Sequence, residues 1–94
     1  MTKEKSEYIL SKQLLRSGTS IGANVSEAVR AQSTSDFVAK MYIALKESGE
    51  TEYWLKLLEK TNYLSQVQAA SILKDCEELI KILVSIIKTT KNNS

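Results

Sequence analysis

The side chains most suited to binding a ligand in this 94-residue sequence are four cations on one side of a predicted helix. At about 100° per residue they fall within about 40° of one another, so they form one basic row along the helix. Such a row can contact phosphate groups without reading a base sequence, and binding of this kind weakens steeply with salt. The sequence therefore predicts a nucleic-acid-binding row, for RNA or DNA, made of Lys5, Lys12, Arg16 and Arg30.

A plainer explanation of the same row is the solvated face of an ordinary helix, since charged residues are mostly exposed. Only Glu27 lies near enough to interrupt the row. The formal net charge is +2, which gives no argument from composition for nucleic acid or a membrane. No aromatic residue lies between the cations, so a stacking surface for single strands is not expected. Repeating the row around a symmetric oligomer would strengthen the nucleic-acid hypothesis.

Residues that would support catalysis or metal binding are scarce. The sequence has no histidine, which removes Ser-His and Cys-His pairs and the Glu-x-x-His motif of di-iron bundles. Glu47, Glu50 and Glu52 are clustered, and carboxylates alone can bind Mg²⁺ or Ca²⁺. On a helix, however, Glu52 points away from the other two, and solvated carboxylates are the commoner case. We predict a protein that is not an enzyme and uses no cofactor or metal.

The single cysteine and the apolar segments bear on where the protein works. Cys76 lies among apolar residues, which indicates a buried thiol rather than a reactive one. The N-terminal residues lack the apolar stretch of a secretory signal, and no apolar run approaches the roughly 20 residues of a membrane span. We expect a cytoplasmic protein with no membrane association.

Helical periodicity accounts for the whole sequence and indicates one domain over residues 1–94. Proline is absent, so helices can run long, and we predict them over about residues 4–31, 34–60 and 66–89. The turns between them are short, so the fold class is all-α, an antiparallel up-down helical bundle. Ser33 with Asp36, and Ser65 with Gln68, fit the capping pattern at helix starts.

Each of the two later helices has a regular main seam that should face the core. The third helix carries a second seam beside it, formed by Ile72, Leu79 and Ile86. The predicted main seams are Phe37, Met41, Ala44, Ser48, Thr51, Leu55 and Leu58 in the second helix, and Ala69, Leu73, Cys76, Ile80, Leu83 and Ile87 in the third.

The first helix combines a wide apolar face with two glycines on that face, Gly18 and Gly22. Each glycine costs a helix roughly 1 kcal/mol relative to alanine, and close approach of a neighbouring helix would offset that cost. Alternatively, Gly18 ends one short helix and Ser20 caps another. The apolar face comprises Leu10, Leu14, Leu15, Gly18, Ile21, Gly22, Val25, Ala28 and Val29.

These apolar faces are wider than a three-helix core requires. In the second helix an additional flank lies beside the main seam, and a helix with two apolar flanks usually touches more than one neighbour. Uncovered apolar surface marks interfaces, so the pattern predicts self-association. The candidate helix-packing or oligomer interface comprises Gly18, Gly22, Ile43, Trp54 and Leu57.

Two stretches of the sequence resemble a known family. They are LSKQLLRSGTSIGANVSEA (Leu10 to Ala28) and AQSTSDFVAKMYIALKESGETEYWLKLL (Ala31 to Leu58), followed by TNYLS (Thr61 to Ser65). Within them, the combination of R-S-x-T-S-I-x-A-N at Arg16 to Asn24 with E-x-x-Y-W-L at Glu50 to Leu55 is specific. The sequence thus resembles the four-helix bundle proteins, also called the 23S ribosomal RNA intervening-sequence protein family.

The resemblance implies an up-down bundle that forms a cyclic homo-oligomer, often a pentamer. Some members are encoded within insertions in ribosomal RNA genes, and a related group serves diversity-generating retroelements as an accessory protein that binds nucleic acid and a reverse transcriptase. The resemblance implies no catalytic residues and no cofactor.

Members of that family carry another long helix before the segment that begins near Leu10. This sequence would therefore supply three long helices of a four-helix pattern, which agrees with its wide apolar faces. Three explanations are open: a misplaced start, a degenerate remnant of a longer gene, or a partner chain that fills the vacant position.

Two functional hypotheses follow. The first is a non-enzymatic, oligomeric bundle that binds structured nucleic acid, ribosomal or element-encoded, through the basic row. The second is a protein-interaction or assembly module with no nucleic-acid role. Its motivation is the Gly18 and Gly22 face together with the flank that contains Trp54.

Overall fold

The computed structural model describes residues 3–60 and 66–93 and contains three α-helices. Helix α1 spans Lys3–Val29, α2 spans Thr34–Lys60 and α3 spans Gln66–Asn92, each of 27 residues. No strand occurs among these described residues. The predicted all-α class is confirmed, and so is α2 with both of its ends.

Helices α1 and α3 end at different residues from those predicted. Helix α1 stops at Val29 rather than near residue 31, because the N–H groups of Arg30 and Ala31 bond to carbonyls three residues back, at 3.2 and 3.0 Å. Such bonds tighten and close a final helical turn. Helix α3 continues three residues beyond Thr89, and the N–H of Asn93 still bonds to the Thr89 carbonyl at 3.1 Å.

The predicted cap of α2 is present. Ser33 Oγ accepts a hydrogen bond from the Asp36 N–H at 3.0 Å, which satisfies a backbone donor that the first helical turn leaves unpaired. Asp36 lies in the first turn, where a negative charge complements the helix dipole. Ser65, the other predicted cap, lies outside the described residues.

Helix α1 is continuous through both glycines, so the single-helix prediction is confirmed and Ser20 caps nothing. The hydroxyls nearby bond back to the helix itself: Ser17 Oγ donates to the Leu14 carbonyl at 3.1 Å and Thr19 Oγ1 to the Leu15 carbonyl at 2.8 Å. These bonds satisfy the hydroxyls without diverting a backbone group from the helical ladder.

Helix α2 lies between α1 and α3 and packs against both in antiparallel fashion. Between α1 and α3, by contrast, no Cα pair comes within 8 Å across the described parts of the chain. Side chains from all three helices still meet in one buried cluster beside α2. The cluster comprises Ile21 and Ala28 of α1, Met41 and Ala44 of α2, and Leu83 and Ile87 of α3.

The predicted main seams of α2 and α3 face this core. Met41, Ala44, Ser48, Leu55 and Leu58 are buried in α2, as are Ala69, Cys76, Leu83 and Ile87 in α3. The remaining seam residues, Phe37, Thr51, Leu73 and Ile80, are half-buried.

Where α1 and α2 pack together, they are joined by a hydrogen bond between hydroxyl side chains that the periodicity did not predict. Ser17 is fully buried, and Thr51 Oγ1 donates to its Oγ at 2.9 Å. Ser48 is also fully buried and donates to the Ala44 carbonyl at 2.8 Å. Because both serine side chains are small and hydrogen-bonded, they allow close packing without an unpaired buried hydroxyl.

Gly49, the glycine of α2, provides a test of the helix assigned there. A Cβ added at Gly49 would meet no heavy atom within 4 Å. We predict that Gly49→Ala raises the free energy of unfolding by roughly 0.5–1 kcal/mol, because alanine loses less backbone entropy in a helix. Urea unfolding followed by circular dichroism measures the change. The matched control is Ala39→Gly at an exposed position of the same helix, which should lower stability by a similar amount. A destabilised Gly49→Ala variant would contradict the prediction.

Candidate functional site

The apolar face of α1 is divided by the packing. Ile21 and Ala28 are buried against the core, but other apolar side chains of α1 are exposed, among them Ile9 at 40%. Tyr8 is 66% exposed, Leu15 is 72% exposed and Val29 is 76% exposed. The face is only half covered because α1 packs against α2, and no Cα atom of α1 comes within 8 Å of α3 in the described residues.

Gly18 and Gly22 lie on the uncovered half of this face. A Cβ added at either position would meet no heavy atom within 4 Å. Within the described chain, therefore, no other helix makes the close approach that was expected to offset the cost of these glycines. Their position leaves a smooth, open strip along α1.

The space between α1 and α3 is an apolar groove with α2 as its floor. It consists of two adjoining depressions of about 500 and 290 Å³, and both are lined by Gly18, Thr51 and Ile72. We call it the α1–α3 groove. Its walls and floor are formed by Ser11, Leu14, Leu15, Gly18, Thr19 and Ile21 of α1, Thr51 and Leu55 of α2, and Ile72, Asp75, Cys76 and Leu79 of α3.

The two edges of the groove carry opposite charges. On the α1 side, Lys12 lines a separate depression together with Tyr8, Ser11 and Leu15, of which Ser11 and Leu15 also line the groove. On the α3 side, Asp75 lines the groove and is exposed, and Glu78 is exposed one turn later. A helix lying in the groove would meet a positive edge on one side and a negative edge on the other.

Cys76 lies at the groove wall but is only 7% exposed. Its Sγ donates to the Ser48 carbonyl at 3.4 Å, and burial raises the pKa of the thiol, with smaller contributions from the charges of Glu52 and Glu77. The predicted buried thiol is confirmed. A raised pKa lowers the thiolate fraction, which is the nucleophilic form.

The basic row faces solvent, but its members differ in how they are engaged. Lys5, Lys12, Arg16 and Arg30 are all exposed. Arg16 is tied to α2, because its Nη2 lies 2.8 Å from Glu50 and its Nη1 lies 3.6 Å from Glu47. Arg30 donates to Ser26 Oγ at 2.5 Å. All four cations therefore lie at the surface, but the Glu50 and Glu47 carboxylates already balance the charge of Arg16.

The carboxylates considered for a metal are used in ion pairs instead. Glu47 and Glu50 turn towards Arg16, and Glu52 lies 3.5 Å from Lys56. Glu27 pairs with Lys40 at 2.9 Å, and this hydrogen bond and charge raise the pKa of Lys40. Among the residues that the structure describes, no three His, Cys, Asp or Glu side chains come together as a metal-binding group. None of the described helical segments is long and apolar enough to cross a membrane.

The five predicted interface residues fall on two different surfaces. Gly18 lines the α1–α3 groove, and Gly22 lies on the same strip of α1. Ile43, Trp54 and Leu57 lie on the side of α2 that carries Glu47 and Glu50, beside Arg16. There Ile43 is 41% exposed while Trp54 and Leu57 are half-buried, and the Trp54 ring packs edge-on against Tyr53 with centroids 5.1 Å apart.

Sequence reasoning did not assign the α3 wall of the groove as a site. The second seam of α3 contained the signal, because Ile72 and Leu79 belong to it and both line the groove. The opposite charges of Lys12 and Asp75 at the two edges could not be paired from the sequence, because their relation depends on the separation of α1 and α3.

Comparison with known proteins bears on the fold. The family model for the 23S rRNA-intervening sequence protein matches residues 1–85. The crystal structure of a protein of unknown function from the S23 ribosomal protein family of Bacteroides thetaiotaomicron is similar, with a TM-score of 0.85 and 58% sequence identity. The alignment covers 90% of this chain and 79% of that chain. No curated protein matches the sequence.

The thiol at the groove wall provides a second prediction. At pH 8, Cys76 should react with a disulfide reagent at least about tenfold more slowly in the folded chain than in urea, because its thiol is buried and its pKa is raised. Absorbance of the released thiolate measures the rate. A variant with Cys76→Ser and Ser85→Cys, which places the thiol at an exposed position of α3, serves as the fast-reacting control. Equal rates for Cys76 in the folded and unfolded chain would contradict the prediction.

Proposed function

Because the chain belongs to the 23S rRNA-intervening sequence protein family, we propose from its own surfaces that it is a non-enzymatic helical module that assembles with itself through the α1–α3 groove. The observation that carries the proposal is the uncovered apolar wall of this groove, in which Leu15 is 72% exposed and Ile72 is 41% exposed. Apolar patches of this kind on a helical surface mark sites of protein contact.

The energetics of covering the groove support the proposal. Full burial of one large apolar side chain contributes about 1.5–3 kcal/mol. Leu15 and Ile72, which line the groove, together therefore offer a few kcal/mol before the cost of association is subtracted. An amphipathic helix that lies in a groove is a common way to realise such a gain.

The shape of the groove also suits a helix. Packed helices lie about 8–10 Å apart, and the closest distances need small side chains at the contact. Gly18 supplies such a position on the α1 wall, where no atom of the described chain occupies the space in front of it. Thr51 and Leu55 form a floor of small and apolar surface beneath that position.

The chemistry of the titratable groups agrees with a role without catalysis. The Cys76 thiol has a raised pKa and little exposure, which suits packing rather than nucleophilic attack. Glu47, Glu50 and Glu52 lie in ion pairs with Arg16 and Lys56. The proposal therefore assigns these residues to structure and assigns no reaction to the protein.

Two matched glycine substitutions test the role of the groove. Gly18→Glu places a carboxylate at the centre of the groove, and Gly49→Glu places the same side chain at an open position of α2 away from it. We expect Gly18→Glu to weaken self-association at least about tenfold, because burying an unpaired charge is costly. Gly49→Glu should leave association unchanged.

Size-exclusion chromatography with light scattering reports the mass, and circular dichroism confirms that both variants remain helical. If Gly18→Glu and Gly49→Glu have the same mass distribution as the unaltered chain, the groove is not the interface.

A second candidate function is binding of structured nucleic acid by the outward side of α1. The observation in its favour is that Lys12 and Arg30 are exposed on the same side of the helix and make no ion pair among the described residues. Arg16 contributes less, because the Glu50 and Glu47 carboxylates already balance its charge.

The prediction for this second function is specific to those two cations. The double variant Lys12→Glu and Arg30→Glu should lower the affinity for a structured RNA at least about tenfold and reduce the slope of log K against log salt by about two. Arg16→Gln should have a smaller effect than either single reversal. Titration of labelled RNA and of duplex DNA at several salt concentrations measures both quantities. Binding that is unaffected by the double variant would leave assembly as the only supported function.

A further inference from the structure

The side of α2 that faces away from the core carries a seam of its own. Its members lie two residues further along the helix than successive core positions, and two residues correspond to about 200° of helical turn, so this seam lies opposite the core. We call it the outer seam of α2. It comprises Asp36, Ala39, Ile43, Lys46, Glu50, Tyr53, Leu57 and Lys60.

The outer seam has both apolar and charged groups available for a contact outside the chain. Ile43 is 41% exposed and Tyr53 is 57% exposed. Lys46 is exposed and makes no ion pair among the described residues. Glu50 accepts from Arg16 through Oε2, and its Oε1 has no hydrogen-bond partner in the described part of the chain. Neither the core nor the α1–α3 groove uses these groups.

We propose that the outer seam binds a second copy of this chain, with the two α2 helices antiparallel across a two-fold axis at residue 48. Residues whose numbers add to 96 then lie opposite each other, so the seam is complementary to itself. With the second residue of each pair on the partner subunit, the axis makes four pairs twice: Asp36 with Lys60, Ala39 with Leu57, Ile43 with Tyr53, and Lys46 with Glu50. Every charge meets the opposite charge, and every apolar side chain meets an apolar one.

Other registers of the outer seam lose this match. Antiparallel seams pair layer by layer, so the alternatives shift the sum of the paired residue numbers in steps of seven. At a sum of 89, Ile43 lies opposite Lys46, and at a sum of 103, Lys46 lies opposite Leu57. Each places a charge against an apolar side chain. Sums of 82 and 110 restore the match but bring only one half of the seam into contact.

A parallel arrangement of the two α2 helices is also disfavoured. Without a shift, every charge of the outer seam meets its own copy, and like charges across an interface are repulsive. With a shift of seven residues, Ile43 lies opposite Glu50. Charge complementarity therefore selects the antiparallel direction and one full-length register.

The pairs divide the tasks of the contact between them. Ile43 against Tyr53 supplies apolar burial on both sides of the axis, whereas a polar pair within a seam specifies alignment at a cost in stability, as Lys46 and Glu50 do here. The seam spans about 36 Å, and helices joined by such seams cross at about 20°, so the contact can extend along most of α2. Gly49 lies at the flank of the seam, where a glutamate side chain stays in water, so Gly49→Glu remains a neutral control for the groove.

Two charge reversals and their mixture test the pairing. Lys46→Glu alone and Glu50→Lys alone each place like charges at both central pairs, and each should raise the dimer dissociation constant about tenfold at low salt. An equal mixture of the two variants should recover most of the lost affinity, because every central pair then joins a carboxylate to an ammonium group. Lys88→Glu, at an exposed position of α3, makes the same change in net charge as Lys46→Glu and should have no effect. Sedimentation equilibrium measures the constants, and circular dichroism confirms helicity.

The same measurements on Gly18→Glu separate the outer seam from the groove. This variant should still reach the mass of two chains, and adding Lys46→Glu to it should weaken that dimer about tenfold. A single-chain mass for Gly18→Glu at every concentration would overturn this inference and leave the groove as the interface. So would a mixture that associates no better than its two components. Association that follows the charge reversals but ignores Gly18→Glu would support the outer seam and contradict the role proposed for the groove.

Discussion

The separation of α1 from α3 is the constraint on which the rest of the structure depends. Helix α2 packs against both neighbours, but no Cα atoms of α1 and α3 approach within 8 Å in the described residues. This spacing buries Ile21 and Ala28 on one half of the apolar face of α1 and leaves Leu15 and Val29 exposed on the other. The groove, its charged edges and the open glycines are all consequences of it.

The contact between α1 and α2 supports this arrangement from the opposite side. Ser17 and Thr51 pack closely at the crossing, and Arg16 bridges from α1 to Glu50 on the outer surface. An exposed ion pair of this kind contributes little to stability, about 0–1 kcal/mol, so its main consequence is for charge. It balances the charge of Arg16, while Lys12 and Arg30 of the basic row make no ion pair among the described residues.

The fold could be predicted from the sequence because its signals are local. The alternation of three- and four-residue steps identified the buried seam from Met41 to Leu58, and Ser33 with Asp36 identified the start of α2. The candidate site could be predicted only in part. Which half of the α1 face is covered depends on contacts between residues far apart in the sequence, and periodicity alone does not contain that information.

The pairing of Arg16 shows where such information could have been found. In an antiparallel hairpin, residues at the same height lie equally far from the turn, and Arg16 and Glu50 both lie 17 residues from residue 33. Glu27 and Lys40 obey nearly the same rule. Lys12 and Asp75 have no such relation, because they lie on α1 and α3, which are not joined by a single turn.

Sedimentation equilibrium of the unaltered chain tests the central claim most directly. An apolar groove that is covered by self-assembly predicts a reversible shift from one chain to a larger species between low micromolar and submillimolar concentration. The mass of a single chain throughout that range would contradict the claim, because the groove would then be stable while exposed to water.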